Sequence, residues 1–368
     1  MLQSGSPDNS TTTNFREQYT SLFHTPSLFP WQLDISQARI LFALINERTY
    51  QQASFLDQRL NADGKLRAFW VPTEQVLADY HSALRIPSAS CFIFHVGHCG
   101  STLISRLLGD HPRLFPLREP LALRSLAEAA RQLDWSNAIL SQARWLELLT
   151  LVLHLLCRTY GNEQRALIKP SSNCNNLIHC LLESYPENRA IFLYLNLKSY
   201  LASVLRPQSR GALHAFSKER LFDLRRIAPD VMPTLQDPTP AQLGAMNWSA
   251  SMIQFMHAQE NTKLYGRIRL VEFDAFLQNP VGNLADLFTF FDVPVKKREA
   301  DVILAKGYMT RYAKDPRIGY TPQMRAEELK RSMQTHRTEI EDAQTWLIGL
   351  LGQISRLSSL KALVVKER

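Results

Sequence analysis

Cys91-Phe92-Ile93-Phe94-His95-Val96-Gly97-His98-Cys99-Gly100-Ser101-Thr102-Leu103-Ile104-Ser105-Arg106-Leu107-Leu108 passes from an apolar run through a small-residue loop into a helix opened by hydroxyls. The first part has the length of a buried strand, and the apolar residues after the loop recur at helical spacing. A strand that feeds a glycine turn and a helix N-terminus aims several backbone N–H groups at one point, where the helix dipole also favours negative charge. The N–H groups of Gly97 to Leu103 are therefore expected to cradle a sulfate, a phosphate or a nucleotide phosphate.

What the loop lacks narrows its class. A Walker A loop has four residues between its glycines and a Lys before the hydroxyl, whereas Gly97 and Gly100 are separated by two residues and the loop has no Lys. Mg-nucleotide hydrolysis is disfavoured. A dinucleotide fingerprint needs a third glycine and a later ribose-binding acid. A low-pKa phosphatase cysteine needs its arginine one residue nearer than Arg106 lies to Cys99. The run His98-Cys99-Gly100-Ser101-Thr102 instead resembles the phosphosulfate-binding loop of the sulfotransferase family, a basic residue followed by Ser-Gly-Thr-Thr.

The resemblance continues in order along the chain. Asp110-His111-Pro112-Arg113-Leu114-Phe115-Pro116-Leu117-Arg118-Glu119-Pro120 is similar to the segment that carries a glutamate base after a His-Pro, and Glu119 is the matching acid. Ala166-Leu167-Ile168-Lys169-Pro170-Ser171-Ser172-Asn173 resembles a strand-end Lys-Pro-Ser segment of bacterial members. In the family's 3′-phosphate segment, an Arg at a strand end precedes a Ser by eight residues; here Leu195 stands for the Arg, and Ser203 keeps the serine. Arg269 to Pro280 with Leu287 to Pro294 looks like the late strand, acidic turn and helix. Tyr308-Met309-Thr310-Arg311-Tyr312-Ala313-Lys314-Asp315-Pro316 resembles a Tyr-Ser-Lys segment of bacterial members. The match runs from about Phe92 to Pro322.

Apolar runs at Cys91 to Val96, Ala166 to Lys169, Ala190 to Leu195 and Arg267 to Val271, each followed by a turn and a helix-like stretch, predict a parallel sheet covered on both faces. The expected fold class is α/β, a three-layer α/β/α domain with a central parallel sheet, which the resemblance makes P-loop NTPase-like. Ligands on such sheets sit past the carboxyl ends of the strands, where the quoted motifs fall. The polar start, 1–14, is expected to be a disordered tail. Residues 15–88 are expected to form a helical cap around Ile40 to Ile45 and Ala53 to Asp57, 89–322 the α/β domain, and 323–368 C-terminal helices broken only at Gly349 and Gly352.

A formal charge of +8 suits an anionic ligand, although a generic basic surface accounts for most of such an excess. No Lys/Arg run with interleaved aromatics points to nucleic acid. Five cysteines form no paired framework, and no apolar leader or spanning segment precedes the fold, so a reducing cytoplasm is the expected compartment.

The resemblance implies transfer of a sulfuryl group from 3′-phosphoadenosine 5′-phosphosulfate (PAPS) to an unidentified hydroxyl or amine acceptor, without a metal. By residue, it gives the 5′-phosphate to Gly97, His98, Cys99, Gly100, Ser101 and Thr102. The acceptor proton goes to Glu119, and catalytic charge to His98 and Lys169. With Leu195 in place of the family's arginine, the 3′-phosphate is either met by Lys198, Ser203 or Arg206 or not bound at all, and further donor contacts go to Arg311 and Lys314. His98 must be protonated for its part. The residues by themselves leave plainer readings open: Glu119 as a first-turn acid, Lys169 as a solvated strand end, Ser203 as a capping serine, and His95 with His98 as an incomplete metal pair. Trp248, Phe255, Tyr265, Phe216 and His214 are candidates for an acceptor pocket or for core. A non-catalytic fold relative that binds a phosphorylated ligand and a phosphotransferase with another donor stay open as alternatives.

Overall fold

The computed structural model describes residues 19–82, 89–229, 238–352 and 358–365, so the expected tail over 1–14 lies outside the described residues. The expected helical cap is instead built on a three-stranded antiparallel sheet of β1 (Leu28–Asp34), β2 (Arg39–Leu44) and β3 (Ala68–Pro72). Ile40 to Leu44, read as helix, is strand. Its Ile40 pairs with Leu33 on one side and Val71 on the other, and these contacts distant in sequence decide between strand and helix for a short apolar run. Two helices accompany this sheet, α1 (Glu47–Gln52) and α2 (Thr73–Ser82).

The main sheet has five strands, all parallel, in the order β5 (Leu114–Arg118), β6 (Arg165–Lys169), β4 (Cys91–His95), β7 (Arg189–Tyr194), β8 (Ile268–Glu272). Every residue of β4 is buried, so both sheet faces are covered. The covering elements include α3 (Ser101–Leu108), α4 (Leu121–Ala130), α5 (Gln142–Cys157), α6 (Ile178–Glu183), α7 (Leu197–Val204), α8 (Ser217–Ile227) and α9 (Pro240–Glu260). Four of the five strands coincide with the predicted runs to within a residue or two. Strand β5 carries Pro116, which removes a ladder donor, and its place at the sheet edge makes that tolerable.

Buried arginines bind the N-terminal unit to this sheet. From the end of β5, Arg118 donates to the carbonyls of Tyr50, Gln51 and Ala53 at 3.2, 3.2 and 2.8 Å, satisfying the open C-terminal end of α1. Arg158 donates to the carbonyls of Thr25 and Leu28 at 2.8 and 2.7 Å. At the other end of the chain, helices Pro322–Thr335 and Arg337–Gly352 are separated at His336, and Gly349 lies inside the second helix rather than breaking it. The buried side chains of Leu347 and Leu351 on either side of Gly349 hold that turn.

Candidate active site

The loop between β4 and α3 turns by left-handed backbone at Gly97 (φ 89°), His98 (φ 51°) and Gly100 (φ 75°). Gly100 is the N-cap of α3, and a Cβ there would lie 2.2 Å from the Phe273 ring. Glycine is thus required twice over, by conformation and by space. The N–H of Gly97 does not point to a ligand as expected, since it donates to His95 Nδ1 at 3.0 Å. That bond leaves His95 Nε2 to carry the proton and to donate to the Pro170 carbonyl at 3.2 Å. Of the expected cradle there remains the first turn of α3, whose opening N–H groups have no partners within the helix, with the Ser101 and Thr102 side chains beside them.

Glu119, just past β5, has φ 57°, a conformation that costs a non-glycine residue about 1 kcal/mol or more and tends to be kept at functional positions. Its N–H donates to the Lys169 carbonyl at 2.6 Å, an extension of the β5–β6 register. Lys169 Nζ in turn meets Glu119 Oε1 at 2.5 Å, and Arg59 Nη2 meets Oε2 at 3.3 Å. Lys169 has no exposed surface and reaches the cleft through its neighbours, Glu119 and His95, whose Nε2 lies 3.3 Å from its Nζ, so it is not the solvated strand end of the plainer reading. Arg59, from the N-terminal unit, lies over the Phe55 ring and pairs with Asp57 as well.

The loop, Glu119, Ser171 and Ser172, Ser203, Arg206, Arg311 and Lys314 line one cleft of about 400 Å³, within the usual range for a small-molecule site. The predicted site residues thus line this cleft with two exceptions, Lys169, which is buried behind Glu119, and Lys198. Lys198 borders a separate groove with Asp274, Lys330 and Arg337. Leu195 is fully buried, and its carbonyl accepts the Trp248 indole N–H at 2.8 Å. Of the cleft's cations, Arg206 is paired with Glu328, Arg325 with Asp274 and Arg124 with Glu128. Among the described residues Arg220, Arg311 and Lys314 have no carboxylate partner within ion-pair distance.

His98 departs from its expected charge. Burial, and then the charges of Lys314, Arg206 and Arg220, push its pKa down to about 4, so the imidazole of the ligand-free protein is neutral near pH 7. Lys314 is accessible but crowded. Burial lowers its ammonium's pKa, opposed by Glu119 and reinforced by Lys169 and Arg59. Cys99 is no nucleophile: its thiol is buried, donates to the Leu193 carbonyl at 3.3 Å, and is pushed up to about 12 by burial. Of the aromatic candidates only Phe216 lines the cleft; Trp248 and Phe255 are core, and Tyr265 is 88% exposed.

Arg59, Ser172, Arg220 and Asn247 line the cleft without having been picked out from sequence. Spacing along α8, which puts Arg220, Asp223, Leu224 and Ile227 on one face, is the signal that bears on Arg220. Among the described residues no group of three or more potential metal-ligating side chains occurs, and no helix is long and apolar enough to cross a membrane.

No family model matches the chain, and no curated protein matches it significantly. Among solved structures it is similar to the sulfotransferase domain from the curacin biosynthetic pathway, with 17% identity over 68% of this chain and 98% of that one, at a TM-score of 0.40. It is similar to the sulfotransferase domain from the Synechococcus PCC 7002 olefin synthase, with 16% identity over 69% and 96% and a TM-score of 0.36. It is also similar to a sulfotransferase from Alicyclobacillus acidocaldarius, with 12% identity over 75% and 97% and a TM-score of 0.35.

Proposed function

We propose that the chain is a sulfotransferase that moves a sulfuryl group from PAPS to a hydroxyl or amine. The observation that carries this reading is the placement of a helix N-terminal cradle, a cleft-facing carboxylate backed by a buried lysine, and cations without carboxylate partners around one cleft. When bound, PAPS supplies the sulfuryl group, released as its bond to the 5′-phosphate oxygen breaks. The first turn of α3, with Ser101 and Thr102, holds the 5′-phosphate. Ser203 and Arg206 hold the 3′-phosphate, without Lys198. Arg311 and Lys314 neutralise donor charge. Glu119 takes the proton of the attacking acceptor, and Lys169 fixes the carboxylate in place.

Titration of the purified protein with adenosine 3′,5′-bisphosphate, in parallel with ATP and magnesium, tests the donor class. Binding of the bisphosphate without ATP turnover is expected. Magnesium-dependent ATP turnover would point to a phosphotransferase, and bisphosphate binding with no consumption of PAPS toward any acceptor would point to a non-catalytic binding protein.

The loop histidine adds a pH dependence. A bound polyanion favours imidazolium, so the pKa of His98 rises from about 4 in the free protein. The complex then binds more protons than the free protein, and affinity must strengthen as pH falls through the complex's pKa, levelling off below about 4. Calorimetry in buffers of different ionisation enthalpy, at a pH between about 4 and the complex's pKa, is expected to register proton uptake that His98→Gln removes. Equal uptake by the variant would assign the proton to the ligand itself.

A further inference from the structure

Arg220, on α8, is 7% exposed and forms part of the cleft wall. Its Nη2 donates to the Ser172 carbonyl at 3.1 Å and to Ser172 Oγ at 2.8 Å. Its Nη1 donates to the Asn247 carbonyl at 3.4 Å and to Ser251 Oγ. All four acceptors are neutral. The nearby carboxylate, Asp223 one turn along the helix, is taken by Arg131, which reaches its two oxygens at 2.8 and 2.7 Å. Holding the 172, 247 and 251 positions together requires only N–H donors, and a buried full charge whose nearest carboxylate, Asp223, attracts it only from a distance while bonded to Arg131 costs far more than a neutral donor would. The charge is surplus to the fold and borders the cleft.

Its position fits one part of the donor. Ser172 Oγ lies 3.4 Å from where a Cβ on Gly97 would stand, so it borders the loop. Having accepted from Arg220, that hydroxyl has its own hydrogen to donate into the cleft it lines. Of the other fixed charges nearby, Lys169 is engaged with Glu119, Arg206 with Glu328 and Arg325 with Asp274, while Arg311 and Lys314, which have no carboxylate partner, are already assigned to the donor's remaining charge. We propose that Ser172, polarised and positioned by Arg220, binds the non-bridging oxygens of the sulfuryl group, so that Arg220 is the permanent charge that the loop's histidine does not provide. This rests on the sulfotransferase reading.

The test compares affinities for PAPS and for adenosine 3′,5′-bisphosphate, which lacks the sulfuryl group, measured on the full chain. Loss of a charge-assisted contact predicts that Arg220→Gln weakens PAPS by about tenfold or more while the bisphosphate stays within about threefold. Arg220→Lys should restore part of the difference. Because Arg220→Gln removes several buried bonds, Ser172→Ala serves as a second variant, expected to weaken PAPS selectively by about threefold to tenfold. Parallel weakening of both nucleotides by Ser172→Ala, or no change in either, would overturn the inference while leaving the sulfotransferase reading intact. Failure of the wild-type protein to bind the bisphosphate would overturn that reading instead.

Discussion

Glu119→Gln is expected to reduce sulfuryl transfer about a thousandfold for any acceptor that supports turnover, while binding of adenosine 3′,5′-bisphosphate stays within about threefold. In the proposed mechanism the carboxylate serves the acceptor side, so its loss removes proton transfer without removing contacts to the donor's phosphates. The same substitution carries a separate cost in stability. Lys169 is fully buried with its ammonium 2.5 Å from Glu119 Oε1, and an amide leaves that charge without its counter-ion, which costs about 3 kcal/mol. Replacing Lys169 by Met in the Glu119→Gln background should recover most of that loss, because the stranded charge goes with it, and should recover none of the activity. Denaturant unfolding and single-turnover assays on the same proteins separate the two effects. A double variant that regained transfer would show that Glu119 serves only to neutralise Lys169.

The parallel sheet and the glycine turn after β4 are legible in the sequence because their determinants are local. Cys91 to Phe94 and Ala190 to Tyr194 are continuous apolar runs of strand length, each followed by a turn and a helix-like stretch, and Gly97 and Gly100 mark turns that other residues resist. The N-terminal strands are not legible in the same way, since Arg39 to Leu44 suits a buried helix as well as a strand until β1 and β3 pair with it. Lys198 and Ser203 illustrate a different limit. They are close in sequence, but five residues along a helix turn the side chain through about 140°, so a helix that presents Ser203 to the cleft turns Lys198 to the groove beside it. The charge of His98 was not readable either. It is set first by burial and then by Lys314, Arg206 and Arg220, which the sequence places more than a hundred residues away. Arg59 reaches Glu119 from a unit whose strands were themselves unread.

Gly100→Ala is expected to remove donor binding and to destabilise the fold together. The added methyl would stand 2.2 Å from the Phe273 ring, far inside contact distance, and Phe273 is itself buried at the start of its helix with Arg325 against its face. Overpacking of this kind costs about 1–3 kcal/mol, and the left-handed backbone at φ 75° adds about 1 kcal/mol for any residue with a Cβ. Relaxing either strain moves the N-cap of α3, and with it the N–H groups that define the anion site. A loss of about 3 kcal/mol in unfolding free energy should therefore accompany a fall of at least tenfold in affinity for adenosine 3′,5′-bisphosphate. Gly97→Ala makes the contrast informative. A Cβ there would lie 3.4 Å from Ser172 Oγ, ordinary contact, and the Gly97 N–H already serves His95 rather than a ligand. Its cost is confined to the backbone at φ 89°, so affinity should fall less than in Gly100→Ala. Equal losses of affinity in the two variants would mean that the anion is held by the whole loop rather than by the helix N-terminus that begins at Gly100.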